Sequence, residues 1–160
     1  MANQPYKALI LMGSERDLPI LEASKPYFEY FGIAPVYAVS SAHRNPDKTA
    51  ELARTARTNG YSVIVCGAGM AAHLAGVCAA YSDLPVIGVP LPGGIEDGMD
   101  ALLSTVQMPA GVPVATFAVG KAGAINAAVF TARILSLTDP AITRRLVEFQ
   151  TAGCRLTEPA

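Results

Sequence analysis

Charge is what this sequence has least of. Asp, Glu, Lys and Arg together make up 16% of its 160 residues, against about 25% in an ordinary globular chain. That is too little to coat a monomer, so further copies of the chain are expected to cover part of its surface. The charge present is balanced, with 12 basic residues against 13 acidic ones. The basic residues are scattered, and without a broad basic field nucleic acid is disfavoured as a partner. Tryptophan is absent, and no pair of aromatics lies in the phosphate-side loops to sandwich a flavin. The three cysteines, Cys66, Cys78 and Cys154, lack the close spacing of a zinc site or a dithiol pair. They read as unpaired thiols of a reducing compartment. No apolar run approaches the length of a bilayer span, and the opening Met1 to Lys7 lacks the layout of a secretory signal. The expectation is a cytoplasmic protein with no membrane partner. A Ser-His-Asp hydrolase is disfavoured because no Ser sits in a G-x-S-x-G elbow.

What the sequence has is apolar substance in a regular rhythm. Hydrophobic residues make up 51% of it, enough for one core in one domain spanning 1–160. Short apolar runs at Ala8 to Met12, Pro35 to Val39, Ser62 to Cys66, Pro85 to Val89 and Val112 to Ala118 read as buried strands. Helical spacing fills the intervals: Leu18 to Tyr30, Pro46 to Asn59, Ala71 to Tyr81, Gly98 to Val106 and Ala122 to Leu137. Five β-α units with strands apolar throughout predict an α/β fold, a three-layer αβα doubly wound parallel sheet with right-handed crossovers. Asp139-Pro140 interrupts the helical pattern after this core of about 7–137. Ala141 to Thr151 then predicts an extra C-terminal helix, about 139–151, with no sheet face reserved for it and a neighbouring subunit as its expected partner. The residues after Ala152 read as a loose tail.

In open parallel sheets ligands bind beyond the carboxyl ends of the strands, so the residues following each strand are the candidates. Gly13-Ser14-Glu15-Arg16-Asp17 combines a close-turning glycine, a hydroxyl and free amides before a helix, the makings of an anion site to which Arg16 adds a charged donor. Asp17 has two readings, helix N-cap or acceptor for sugar hydroxyls. Ser40-Ser41-Ala42-His43-Arg44-Asn45-Pro46 puts hydroxyls, an imidazole and a guanidinium on one turn. Ser41 and Arg44 suit a phosphate monoester, and His43 is the natural proton carrier near neutral pH. In Gly67-Ala68-Gly69-Met70-Ala71-Ala72-His73-Leu74 small residues admit a flat ligand, and the amides of Gly69 and Met70 face it. The segment is not a G-x-G-x-x-G fingerprint, which disfavours nicotinamide cofactors. His73, one turn into the expected helix, reads equally as a packing residue or a participant. Pro90 to Gly98 reads as a mobile cover or a structural connector.

Together the Gly-Ser-x-x-Asp loop, Ser41-Ala42-His43-Arg44-x-Pro46, Gly67-Ala68-Gly69-x-Ala71-Ala72-His73-Leu74, Gly88-Val89-Pro90, the segment from Leu103-Ser104 to Ala115-Thr116 and Asn126-Ala127-Ala128 resemble one family. It is the N5-carboxyaminoimidazole ribonucleotide mutase family of purine biosynthesis, matched in order from about Ala8 to Leu137. The resemblance implies a flavodoxin-like homo-octamer without cofactor, needing neither ATP nor metal. It also implies a small ribonucleotide substrate whose carboxylate moves from the exocyclic nitrogen to ring carbon C4. By motif, Ser14, Asp17, Ser41 and Arg44 would hold the ribose phosphate, with Gly13, Arg16 and Ala42 beside them. His43 would be the acid and base, and Ala68, Gly69 and Leu74 would line the imidazole pocket, with Met70 and His73 adjoining. The Arg of Ser-Ala-His-Arg looks like the mutase branch, where a Lys would look like the related carboxylase that uses free carbon dioxide. A non-catalytic nucleotide-binding module is the alternative from another class. The sequence departs from the family pattern at Arg16, where a second Ser is usual, at Met70, where Gly is usual, at Leu74-Ala75-Gly76-Val77, where Leu-Pro-Gly-Met is usual, and at Ala101, where a Ser is usual.

Overall fold

The computed structural model describes residues 6–156. Five strands, β1 (Tyr6–Met12), β2 (Ile33–Val39), β3 (Tyr61–Ala68), β4 (Val86–Pro90) and β5 (Ala115–Thr116), form one parallel sheet in the order β2-β1-β3-β4-β5. This is the flavodoxin-like order, in which the winding direction reverses between β1 and β3. Side chains alternate across the pleat. Ala8, Ile10 and Met12 of β1 enter one core with Leu21, Phe28, Phe31, Ala128 and Ala132. Leu9 and Leu11 enter the other with Ala53, Ile64, Leu74 and Cys78. Helices therefore cover both faces, and burial of each large apolar side chain contributes about 1.5–3 kcal/mol.

The first crossover is broken rather than continuous. It runs as α1 (Leu18–Leu21), a 3-10 turn at Glu22–Ser24 and α2 (Lys25–Tyr30). Pro26 explains the break: it has no amide to give the preceding turn, and its ring crowds that turn's carbonyl. The Ser24 hydroxyl donates to Leu21 O at 2.6 Å and caps the interruption. Next come α3 (Pro46–Thr55), α4 (Leu74–Tyr81), α5 (Met99–Val106) and α6 (Lys121–Ser136). The fifth strand is shorter than its apolar run because Pro113 cannot donate to a ladder. The pairing persists beyond it, with Phe117 N donating to Gly88 O at 3.0 Å and Gly120 N to Pro90 O at 2.9 Å.

The last helix, α7 (Pro140–Thr151), packs on its own chain rather than waiting for a neighbour. Ile142, Leu146 and Phe149 are buried in the core shared with α6. Phe149 meets Tyr27, Tyr30 and Phe31 at centroid distances of 5.5–6.1 Å. Arg145 Nη1 donates to Tyr30 O at 3.1 Å and the Tyr30 hydroxyl donates to Arg145 O at 3.3 Å. The face comes from the α2–α6 groove, which a strand-by-strand reading does not reveal. The segment that follows is not a loose tail as far as Leu156: Cys154 N donates to Phe149 O at 2.9 Å, and Leu156 packs against the core. Residues 157–160 and the opening 1–5 lie outside the described residues. Among the described residues no helix is long and apolar enough to cross a membrane.

Candidate active site

All strands run the same way, so the segments after β1, β2, β3 and β4 emerge on one edge of the sheet. They enclose a cleft of about 770 Å³ at the β1/β3 reversal. Every site residue expected from sequence lines it: Gly13, Ser14, Arg16 and Asp17 after β1, Ser41 to Arg44 after β2, and Ala68, Gly69, Met70, His73 and Leu74 after β3. Four further lining residues are Ala71, Pro92, Gly93 and Gly94. The signal for the last three was their position just past β4, but Pro and Gly carry no side-chain chemistry that a motif reading selects. Ala72 turns inward and is buried, so the small-residue wall ends at Ala71.

The loop after β1 is held by a reciprocal pair. Ser14 N donates to Asp17 Oδ2 at 3.0 Å and Arg16 N donates to Ser14 Oγ at 3.3 Å. Asp17 therefore does not cap α1 with its side chain; its carboxylate reaches back to fix the turn. Burial pushes the Asp17 carboxyl up from its ordinary range, and the Ser14 amide partly offsets this. The loop after β2 is built alike, with Arg44 N donating to Ser41 Oγ at 3.3 Å. Both serine hydroxyls act as acceptors inward, leaving their O–H groups for a ligand. Beneath this loop lies a buried hydroxyl pair, Ser40 Oγ and Thr49 Oγ1 at 2.8 Å, while Thr49 Oγ1 also reaches Asn45 O at 3.2 Å. Ser40 N donates to Met12 O at 2.9 Å, so the two loops are joined at their bases. Arg16 and Arg44 are exposed, and among the described residues neither has a carboxylate partner. Both remain available to an anion.

His43 Nε2 and His73 Nδ1 stand 2.8 Å apart with their rings perpendicular. One ring donates and the other accepts, so the tautomer of one fixes the role of the other. His73 sits at the N-cap of α4 rather than one turn inside it, because the helix begins at Leu74. There its exposed imidazole meets His43 of the β2 loop. Beside the pair, the amides of Gly69 and Met70 have no hydrogen-bond partner among the described residues. Met70 has φ +55°, a left-handed conformation that costs a residue bearing a Cβ about 1–2 kcal/mol. Its carbonyl lies 3.5 Å from the Ser104 hydroxyl of α5. The segment after β4 is folded on itself, with Gly93 N donating to Asp97 Oδ1 at 3.0 Å and Ile95 N to Asp100 Oδ2 at 3.1 Å.

The cleft is thus lined by hydroxyls and guanidinium groups of the β1 and β2 loops and by small residues after β3, with a histidine pair joining the β2 and β3 loops. Comparison with known proteins identifies the family. The family model described as AIR carboxylase matches residues 7–154. An Escherichia coli K12 protein named N5-carboxyaminoimidazole ribonucleotide mutase is 45% identical over 150 residues, covering 94% of this chain and 89% of its own length. A Bacillus subtilis protein of the same name is 49% identical over 139 residues, covering 87% of this chain and 86% of its own. Among solved structures, PurE of Treponema denticola superposes with a TM-score of 0.83 at 25% identity, covering 92% of this chain and 91% of that one. On its sequence, its sheet order and its matched length, the chain belongs to the AIR carboxylase family.

Proposed function

We infer that the chain is an N5-carboxyaminoimidazole ribonucleotide mutase of purine biosynthesis, an enzyme that moves a carboxylate within one ribonucleotide. The observation that carries this is the His43–His73 pair, which joins the loop of Ser41 and Arg44 to the small-residue segment after β3 in one cleft. In this reading Ser14, Arg16, Ser41 and Arg44 grip the 5′ phosphate, and Asp17 accepts from the ribose hydroxyls. The aminoimidazole lies along Ala68 to Ala71 and Leu74. His43 gives a proton to the exocyclic nitrogen, whose bond to the carboxylate breaks and releases carbon dioxide. The resulting enamine attacks carbon dioxide through C4, and the C4 proton returns to His43, so no proton is gained or lost overall. Because His73 shares a hydrogen bond with His43, it holds the ring in place. Keeping both fragments in the cleft turns a bimolecular recapture into a local one, worth up to about 7–11 kcal/mol in favourable cases. A wall poor in charge also admits little competing water.

His43→Asn should fold normally and lose turnover; substantial residual activity would remove His43 from the proton-carrying role. Direct carboxylation of the aminoimidazole by free carbon dioxide is the second reading, and Arg44 within Ser-Ala-His-Arg weighs against it. Supplying the carbamate substrate in one assay and aminoimidazole ribonucleotide plus bicarbonate in another separates the two. Conversion of neither, with binding of the ribonucleotide retained, would make the chain a binding module. The proposed setting is the cytoplasm and the proposed assembly a homo-octamer, supported by the sparse charge and by Met99, Leu103 and Val106, all about half exposed along α5.

A further inference from the structure

The segment after β4 keeps a shape that neither burial nor residue type accounts for. Its ends are fixed: Leu91 is buried and its amide donates to Ala68 O at 2.9 Å, and Gly98 is buried as well. Residues 92–97 between them are all exposed, so no core contact holds the run. Five of the six residues 93–98 have positive φ, namely Gly93, Gly94, Glu96, Asp97 and Gly98. Glycine takes that region freely, but Glu96 and Asp97, both at φ +50°, carry a Cβ that disfavours it. Two carboxylates oppose relaxation. Asp97 Oδ1 accepts from Gly93 N within the run, and Asp100 Oδ2 accepts from Ile95 N, reaching in from the first turn of α5. Among the described residues the second is the one hydrogen bond that ties residues 93–97 to a side chain outside them. The other Asp100 oxygen accepts from Ala101 N at 2.8 Å, so both oxygens are engaged. Gly94 lies so close that a Cβ on it would run into this carboxylate.

We propose that Asp100 is a positioning residue, whose carboxylate holds Pro92 to Gly94 as a fixed wall of the cleft and so sets how tightly the ribonucleotide is seated. This rests on the mutase reading above. Pro92, Gly93 and Gly94 line the cleft, whereas Asp100 does not; it acts through the Ile95 amide and through its contact with Gly94. Because Asp100 belongs to α5, replacing it leaves every residue of the run itself unchanged. Without it the run is free to relax out of the left-handed region and the wall is withdrawn. The histidine pair is joined to the β2 and β3 loops and has no hydrogen bond to residues 92–97, so the loss falls on seating rather than on proton transfer.

The test compares the full-length wild type with Asp100→Ala and Asp100→Asn. Three quantities are read: KM and kcat for the carbamate ribonucleotide, the Kd of aminoimidazole ribonucleotide by calorimetry, and hydrogen exchange at the Ile95 amide. Asp100→Ala should raise KM and Kd several-fold at nearly constant kcat and Tm, and should speed exchange at Ile95. Asp100→Asn keeps one acceptor oxygen and should lie between alanine and wild type in all of these. Unchanged KM and Kd in Asp100→Ala overturn the proposal, as does a fall in kcat at constant KM. A raised KM accompanied by a change in oligomer size overturns it too, because Asp100 would then act through assembly. Should Asp100→Ala fail to fold, Asp100→Asn decides: faster Ile95 exchange with raised KM supports the proposal, and either change without the other overturns it. A wild type that binds the ribonucleotide but does not convert the carbamate fails the mutase reading alone, and the Kd series still judges Asp100.

Discussion

At the scale of single residues, the buried polar groups carry the sharpest expectations. Ser40 and Thr49 satisfy each other out of water under the His43 loop. Thr49→Val strands the Ser40 hydroxyl, and leaving a buried hydroxyl unpaired costs about 1–3 kcal/mol. Adding Ser40→Ala should recover much of that loss, and a double-mutant cycle by urea unfolding measures the coupling. Asp17 makes a prediction about pH. Its carboxyl is pushed up by burial, so the fold prefers its protonated form, and the stability linked to that preference is lost as pH rises through the raised pKa. Ribonucleotide binding needs the opposite form, since only the carboxylate accepts two sugar hydroxyls. Affinity should therefore fall on acidification sooner than for an ordinary aspartate, and Asp17→Asn should bind more weakly with that acid limb removed; calorimetric titration across the acid range reads both. The thiols divide by position. Burial and the neighbouring Cys78 push the Cys66 thiol well up, and Cys78 is buried too, while Cys154 is exposed. A thiol reagent on the folded protein should modify Cys154 first and reach the other two only on unfolding.

Among the elements, α6 shows two local effects in opposition. Gly123 lies in its first turn, where alanine would gain about 1 kcal/mol of helix propensity. A Cβ there would run into the carbonyl oxygen of Ala118, which is backbone and cannot swing aside. Overpacking of this kind costs about 1–3 kcal/mol, so Gly123→Ala should be net destabilising in a thermal melt. The helix α7 is anchored by Phe149 among three aromatic rings, and Phe149→Ala should cost about 3–5 kcal/mol. Loss on that scale in a dilute, monomeric sample would confirm that α7 stabilises its own chain. The elements also show what a sequence can and cannot display. Strands β1 to β4 were legible because buried parallel strands are apolar on both faces. Interruption of the first crossover at Pro26 and shortening of β5 at Pro113 depend on single missing amides, and the docking of α7 depends on a groove whose α2 side lies more than a hundred positions away.

Over the whole molecule, legibility of the cleft follows from topology. Loops at the carboxyl ends of parallel strands must converge, so polar residues immediately after strands could be gathered into one site before any coordinates were known. What could not be read was how they meet: that His73 stands just before α4 and reaches His43, that Asp17 turns back to Ser14, and that Met70 is left-handed. Each is set by backbone direction at a helix start, which residue type alone does not encode.

The common direction of the strands also bears on engineering. The turns that lead into them, among them Thr58 to Gly60 and Ser82 to Pro85, lie at the far margin from the cleft, separated from it by strands of five to eight residues or roughly 20 Å. A dye, an affinity tag or a spliced peptide at Gly60 would ride on the molecule as a bystander to its chemistry, while the same cargo placed just after β1, β2 or β3 would plug the entrance.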